Sequence, residues 1–178
     1  MTVSPITEIK TPEPLRSRFE QLGVSVTTWA HKPVFTVDDG EDVKAALEGG
    51  QTKNLFLRDK RGGIWLVTAL AETQINLREL SDRLGCARFS FGSPELLGEI
   101  LGVKPGSVTP FALINDRERK VQVVFDQAMM PHKVLNFHPL ENTMTTAIAP
   151  DGLLKFAASC GHRPIMIDFS VREQKHGS

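Results

Sequence analysis

The chain has 178 residues, 40% of them hydrophobic and 24% charged, a size and composition that accommodate one domain with a real core and exclude a disordered or fibrous chain. Lys plus Arg equals Asp plus Glu at 21 each, so no global basic field exists to drive nonspecific nucleic-acid binding, and any RNA contact must be local. No apolar run approaches the roughly 20 residues of a membrane helix, and Met1 to Lys10 lacks a basic start followed by an apolar core. Cys86 and Cys160 have no CxxC partner and read as small core residues. The expectation is one cytoplasmic domain over residues 1–178, with flexible ends at about 1–10 and 170–178.

Taken in order, Thr11 reads as an N-cap with Pro12 at the first helical position, and Leu15, Phe19 and Leu22 recur at helical spacing before Gly23. Val24 to Trp29 alternates as a strand, and Asp39 to Leu47 reads as a short helix closed by Gly49-Gly50. Asn54 to Arg58 and Ile64 to Leu70, separated by Asp59-Lys-Arg-Gly-Gly63, form the clearest hairpin, which sets Lys53 at the head of a strand. Asn76 and Glu79 have capping-box spacing ahead of a helix carrying Leu77, Leu80 and Leu84 and ending at Gly85. Ser93-Pro94-Glu95 opens another helix through Leu101, stopped by Gly102. Phe111 to Ile114 with Val121 to Phe125 predicts a second hairpin, and Val134 to Phe137 with Thr143 to Ile148 a third. A last helix over Asp151 to Cys160 and a final strand over Ile165 to Phe169 complete the pattern. Hairpin strands interrupted by helices imply an α+β domain around a mixed, mostly antiparallel sheet.

Three polar, turn-rich segments stand out: Lys53-Asn54-Leu55, Gly102-Val-Lys-Pro-Gly-Ser-Val-Thr-Pro-Phe111, and Asn136-Phe-His-Pro-Leu-Glu-Asn142. Loops held by a scaffold are where chemistry concentrates. Lys53 would set an ammonium at the mouth of a sheet, able to hold a phosphate, a carbonyl oxygen or a hydroxyl, or simply to be solvated. Pro105-Gly106-Ser107 supplies a tight turn whose amides could meet a developing oxyanion, although Pro-Gly turns are also common connectors. His138 precedes Pro139, which favours extended backbone and can aim the ring out of the turn, to bind a hydroxyl or amine or to shuttle a proton. The five histidines show no HExxH spacing and no carboxylate pairing, so no metal is expected. The chain lacks GxGxxG and Walker-type loops, so no cofactor is expected either. Two basic turns, Arg58-Lys60-Arg61 and Arg117-Arg119-Lys120, are local charge that could serve RNA or only solvate a loop tip.

The middle segment, read with Ala112-Leu-Ile-Asn-Asp116 and with His138-Pro139-Leu140, resembles the YbaK-type prolyl-tRNA editing proteins, and the resemblance runs from about His31 to Phe169. It implies a curled, mostly antiparallel sheet with helices around it and a cleft between. It also implies hydrolysis of the aminoacyl ester of mischarged tRNA(Pro), with Ala-tRNA(Pro) as the leading substrate and Cys- or Ser-charged tRNA as alternatives. The need for such an enzyme is physical: a synthetase pocket made for proline cannot strongly exclude smaller amino acids, because a missing methylene changes binding by only about 1–3 kcal/mol.

By the same resemblance, Lys53 and Asn54 hold the ester and the terminal adenosine, the Gly106 and Ser107 backbone meets the carbonyl oxygen, Thr109 borders the pocket, and His138 binds the substrate end. Phe35, Val37 and Phe137, with Val34 and Thr36, combine apolar bulk with proximity to these segments and would either shape the pocket volume or form plain core strand. The implied partners are the acceptor end of tRNA(Pro) and prolyl-tRNA synthetase, with no DNA and no membrane. A noncatalytic aminoacyl-tRNA-binding module and a hydrolase of some other small acyl ester are the competing readings.

Overall fold

The computed structural model describes residues 4–33 and 37–171. In chain order the elements are β1 (Thr7–Ile9), α1 (Leu15–Leu22), β2 (Val26–Ala30), α2 (Val37–Ala46), β3 (Thr52–Asp59), β4 (Ile64–Leu70), α3 (Leu77–Leu84), β5 (Phe89–Phe91), α4 (Pro94–Leu101), a 3₁₀ segment (Pro110–Asn115), β6 (Val121–Asp126), β7 (Leu135–Phe137), β8 (Met144–Ile148), α5 (Pro150–Ser159) and β9 (Ile165–Ile167). The protein is α+β: a four-stranded sheet ordered β1-β2-β8-β7 and a five-stranded sheet ordered β5-β3-β4-β6-β9, with helices around them. Pairing is antiparallel except where β6 lies between β4 and β9, parallel to both.

The two sheets meet at a seam. Gly50 pairs with Leu135 as an isolated parallel bridge, its amide donating to Val134 O at 2.9 Å and its carbonyl accepting from Asn136 N at 3.1 Å. The strand surface therefore curls continuously from β7 into β3. Its inner face holds the larger core, where Phe56 and Leu66 from one sheet meet Leu135, Phe137 and Ile148 from the other. Phe19, Phe111 and Phe156 fill the middle of that core, each ring centroid 5.4 Å from the other two. Because successive residues of a strand point to opposite faces, Leu57, Trp65 and Val67 project the other way and pack with Leu80 of α3. Cys86 packs at the edge of this second cluster and Cys160 at the edge of the first.

Helix ends follow local chemistry. Asn76 accepts from Arg78 N and Glu79 N, and Ser93 accepts from Leu96 N, so both N-termini are capped by side chains. Gly23, Gly85 and Gly102 close α1, α3 and α4 in the left-handed conformation that glycine adopts without a Cβ clash.

Four features depart from the sequence expectation. Helix α1 begins at Leu15 rather than Pro12; Pro14 disfavours helical backbone at Glu13, so a start at Pro12 is blocked. Thr11 is instead buried, its hydroxyl 2.7 Å from that of Thr28. The expected second hairpin does not form. Pro110–Asn115 winds into a 3₁₀ segment with Phe111, Ala112 and Leu113 all buried, and a wholly apolar run carries no period to separate strand from helix. Strands β1 and β5 are three residues each, too short to show a period, and β1 ties residues 7–9, expected to be flexible, to β2. At the other end, Ser170 N donates to Asp168 Oδ1 and Arg83 to Val171 O, so these two residues are held as well.

Candidate functional site

Lys53 is the second residue of β3, directly across from Ala69. Its amine donates to the backbone carbonyl of Thr73. Thr73 in turn donates its hydroxyl to Asp126 Oδ2 at 2.5 Å, and that buried carboxylate also accepts from Leu70 N and Ala128 N. A chain of contacts thus ties the lysine to the C-terminal ends of β4 and β6. Asn54 points to the opposite face of β3, where its Oδ1 accepts from Thr68 Oγ1 at 2.8 Å. Lys53 and Asn54 are therefore not brought to one surface, and the expected joint grip on a substrate does not follow from their adjacency.

His138 follows β7 directly. Thr52 donates its hydroxyl to Asn136 O at 2.6 Å, so the parallel strands leaving the seam carry Lys53 and His138 to the same end of it. The His138 Nδ1 lies 2.8 Å from Met144 O; a carbonyl can only accept, so Nδ1 carries the proton and Nε2 of the neutral ring is left as an acceptor. Burial pushes the His138 pKa down, opposed by the Met144 hydrogen bond and reinforced by His31. The His31 ring stands 6.3 Å away, centroid to centroid, anchored by Lys32 O and Thr145 Oγ1 at 2.8 Å each.

The loop ahead of the 3₁₀ segment meets the same end. Gly106 has φ +90°, and a Cβ there would lie 3.9 Å from Asn142 Nδ2 in the turn that carries His138. The exposed Gly106 amide makes no hydrogen bond among the described residues. The Ser107 amide, by contrast, already donates to Lys104 O at 3.0 Å, which leaves Gly106 as the available oxyanion donor of the pair. Thr109 is fully buried and caps the 3₁₀ segment by accepting from Phe111 N. Phe137 is 2% exposed and packs edge-to-face on Phe111; it is a core residue rather than a cleft wall. Val34, Phe35 and Thr36 fall outside the described residues, and Val37 opens α2.

Residues 31–156 match the aminoacyl-tRNA editing domain family. The chain belongs to that family. It is 37% identical over 164 residues to prolyl-tRNA synthetase associated domain-containing protein 1 of Danio rerio, covering 89% of each chain. It is 31% identical over 147 residues to the prolyl-tRNA editing protein ProX of Acetoanaerobium sticklandii, covering 82% of this chain and 90% of that one. Among solved structures, a candidate trans-editing enzyme for prolyl-tRNA synthetase superposes with TM-score 0.63 at 16% identity, over 90% of this chain and 95% of the other. That likeness establishes a shared fold.

Within this editing domain the structure adds residues that the sequence does not single out. His31 and Thr145 join His138 across β2 and β8, a meeting that only antiparallel pairing over more than a hundred residues creates. Asn136 is 4% exposed; its Nδ2 donates to Glu48 O at 3.1 Å, while its Oδ1 has no partner among the described residues. A buried acceptor left open costs roughly 1–3 kcal/mol. Thr73 and Asp126 line a cleft of about 750 Å³ with Asn76, Gln127 and Asp168, adjoining Lys53 through its Thr73 contact. No helix among the described residues is long and apolar enough to cross a membrane.

Proposed function

We propose that this chain is a trans-acting editing hydrolase that removes the amino acid from mischarged tRNA(Pro), with alanine as its main target. The observation that carries this reading is that the parallel segments leaving the seam carry Lys53 and His138 to the same end of it, with Gly106 beside Asn142 of the turn that His138 opens, in a chain of the aminoacyl-tRNA editing family. The name of the Acetoanaerobium relative connects that protein with prolyl-tRNA editing and the name of the Danio relative connects it with prolyl-tRNA synthetase, which supports tRNA(Pro) as the partner here.

In this reading Lys53 supplies positive charge beside the ester, and the Gly106 amide donates to the carbonyl oxygen as it gains charge. His138, neutral near pH 7 with Nε2 as acceptor, takes a hydrogen bond from a ribose hydroxyl or the free amine and so orients the terminal nucleotide. Water attacks the ester carbon, its proton passing to the neighbouring ribose hydroxyl or to solvent; the C–O bond to the ribose breaks, the ribose oxygen takes a proton, and free amino acid and tRNA are released. The ester is already activated, so the reaction is complete without a cofactor.

The deciding experiment is release of labelled amino acid from Ala-, Ser-, Cys- and Pro-tRNA(Pro), comparing the protein with Lys53→Ala. Lys53-dependent loss of alanine alone supports the full proposal. Loss of cysteine or serine instead would move the specificity and keep the reaction, and binding without any release would leave a noncatalytic module.

A further inference from the structure

The two basic turns evident in the sequence are not scattered. Strand β4 pairs antiparallel with β3 and parallel with β6, so Arg58 opposite Ile64, and Ile64 opposite Val121, bring both turns to one end of the five-stranded sheet. Edge strand β5 joins them: Ser90 pairs with Arg58, and Lys60 N donates to Arg88 O at 3.1 Å. Arg58, Lys60, Arg61, Arg88 and Arg117 are all exposed there.

Three of the carboxylates at this end are turned away from solvent or already engaged, while exposed Glu99 lines the same hollow as Arg117 and Lys120. Asp59 is 7% exposed; its oxygens accept from Arg61 N, Gly63 N and the Trp65 indole, and the indole bond holds its carboxyl below the usual range. Asp116 is buried and accepts from Lys120 N and Val121 N. Glu118 pairs with Lys120 at 3.0 Å. The five cations named above form no ion pair among the described residues. On the edge strand Phe91 stands 68% exposed, the most open large apolar side chain among the described residues; it pairs with Leu57, one position before Arg58, and so turns to the opposite face from the Arg58 side chain.

We propose that this end of the sheet is a second RNA-binding surface, taking backbone phosphates of the tRNA acceptor arm on Arg58, Lys60, Arg61, Arg88 and Arg117 and stacking a base on Phe91. Cations without an ion pair and an exposed ring on the adjoining edge strand are the two components of sequence-tolerant nucleic-acid binding. The net charge of zero makes the segregation informative, because a neutral chain has no general excess to spread. Distance defines which part of the RNA is held. Lys53 and Arg58 are five residues apart on β3, about 17 Å of strand, and the odd spacing points their side chains to opposite faces. One terminal nucleotide at Lys53 cannot also reach Arg58, whereas nucleotides stacked at about 3.4 Å each need at least about five steps to run along the strand to the end of the sheet where the turn residues stand.

This surface rests on the tRNA-editing reading, and its test separates the two. The triple variant Arg58→Gln/Lys60→Gln/Arg61→Gln and the single variant Phe91→Ala alter exposed side chains, and thermal melts matching the parent confirm their folding. Affinity for uncharged tRNA(Pro) is measured by anisotropy across a salt series. Deacylation is measured on full-length mischarged tRNA and on an aminoacylated terminal trinucleotide. The triple variant is expected to lose about tenfold or more in affinity, and its slope of log K against log salt to shrink by about 2. Its kcat/KM should fall on full-length tRNA and stay at the parent value on the trinucleotide. Phe91→Ala should cost about fivefold or more in affinity with the salt slope unchanged.

Unchanged affinity and slope in the triple variant would overturn the surface even if editing is intact. Patch-dependent tRNA binding by a protein that deacylates nothing would uphold the surface and overturn the editing reading. A shift in sedimentation with Phe91→Ala at unaltered RNA affinity would assign that ring to a contact between copies of the chain and remove it from the proposal.

Discussion

The amine of Lys53 donates to the backbone carbonyl of Thr73, twenty residues along the chain, and the hydroxyl of the same Thr73 donates to buried Asp126. The lysine is thus held by a turn that a carboxylate in turn holds. Lys53→Ala should lower deacylation of Ala-tRNA(Pro) by about 100-fold or more, the range seen when a charge-stabilising donor is removed. Parent-level turnover in a folded variant would exclude Lys53 from the reaction.

Removing the carboxylate has a different signature. Asp126→Ala leaves Leu70 N and Ala128 N without their acceptor in a site 1% exposed, so denaturant unfolding should show a loss of about 3 kcal/mol or more. Because the Thr73 turn then loses its anchor, kcat should fall along with stability. Undiminished stability would mean the amides find water in place of Asp126.

Gly106→Ala tests the loop. With φ +90° and no atom nearer than 3.9 Å to the added methyl, the cost is conformational rather than steric, roughly 1–2 kcal/mol. The turn should relax toward negative φ and re-aim the free amide, so turnover should drop more than the melting temperature implies. If turnover simply tracks the folded fraction, the amide has no part in the chemistry.

Phe137→Ala is expected to act on the core. The ring is 2% exposed and packs on Phe111, so the substitution should cost about 3–5 kcal/mol. The substrate profile of whatever protein remains folded should be unaltered. Gain of activity toward bulkier aminoacyl-tRNA would instead make Phe137 a wall of the pocket.

Two histidines, buried His162 and half-buried His138, give stability a pH dependence. Burial lowers the pKa of both His138 and His162; at His162 this outweighs Asp116, whose Oδ2 lies 3.1 Å from Nε2, and Arg119 adds to the lowering. Unfolded, each returns to about 6.5, so below that pH the unfolded chain binds more protons and acid favours unfolding. Melting temperature should hold near neutrality and decline as pH falls through about 6.5 toward the lower folded values. His162→Gln should flatten that decline in part, leaving the His138 share. An identical slope in the variant would assign the acid sensitivity elsewhere.

Elements with strong local signals are legible in the sequence itself. Asn76, Ser93 and the glycines at 23, 85 and 102 mark helix ends where the folded chain has them, because caps and left-handed turns are decided by the few residues involved. The hairpin of β3 and β4 and that of β7 and β8 are readable from alternation and turn residues. The segment Phe111–Ile114 reads wrongly as a strand because every side chain in it is apolar, and Pro110 with Thr109 winds it into a 3₁₀ segment instead.

At the candidate site, the residues by themselves leave Lys53, Gly106 and His138 readable as a solvated lysine, a common turn and a structural histidine; it is their likeness to a known family that makes them site candidates and gives them roles. The tertiary structure decides which atoms are available. The opposite faces of Lys53 and Asn54 follow from strand alternation and the Ser107 amide is taken by Lys104 O three residues back, but whether Phe137 lines a cleft depends on packing between segments far apart in the chain. The parallel placement of β6 beside β4, which gathers two basic turns at one end, is of the same kind. Local chemistry acts over a few residues and can be read from them; strand pairing across tens of residues is chosen by the burial of the whole core, and no single segment contains it.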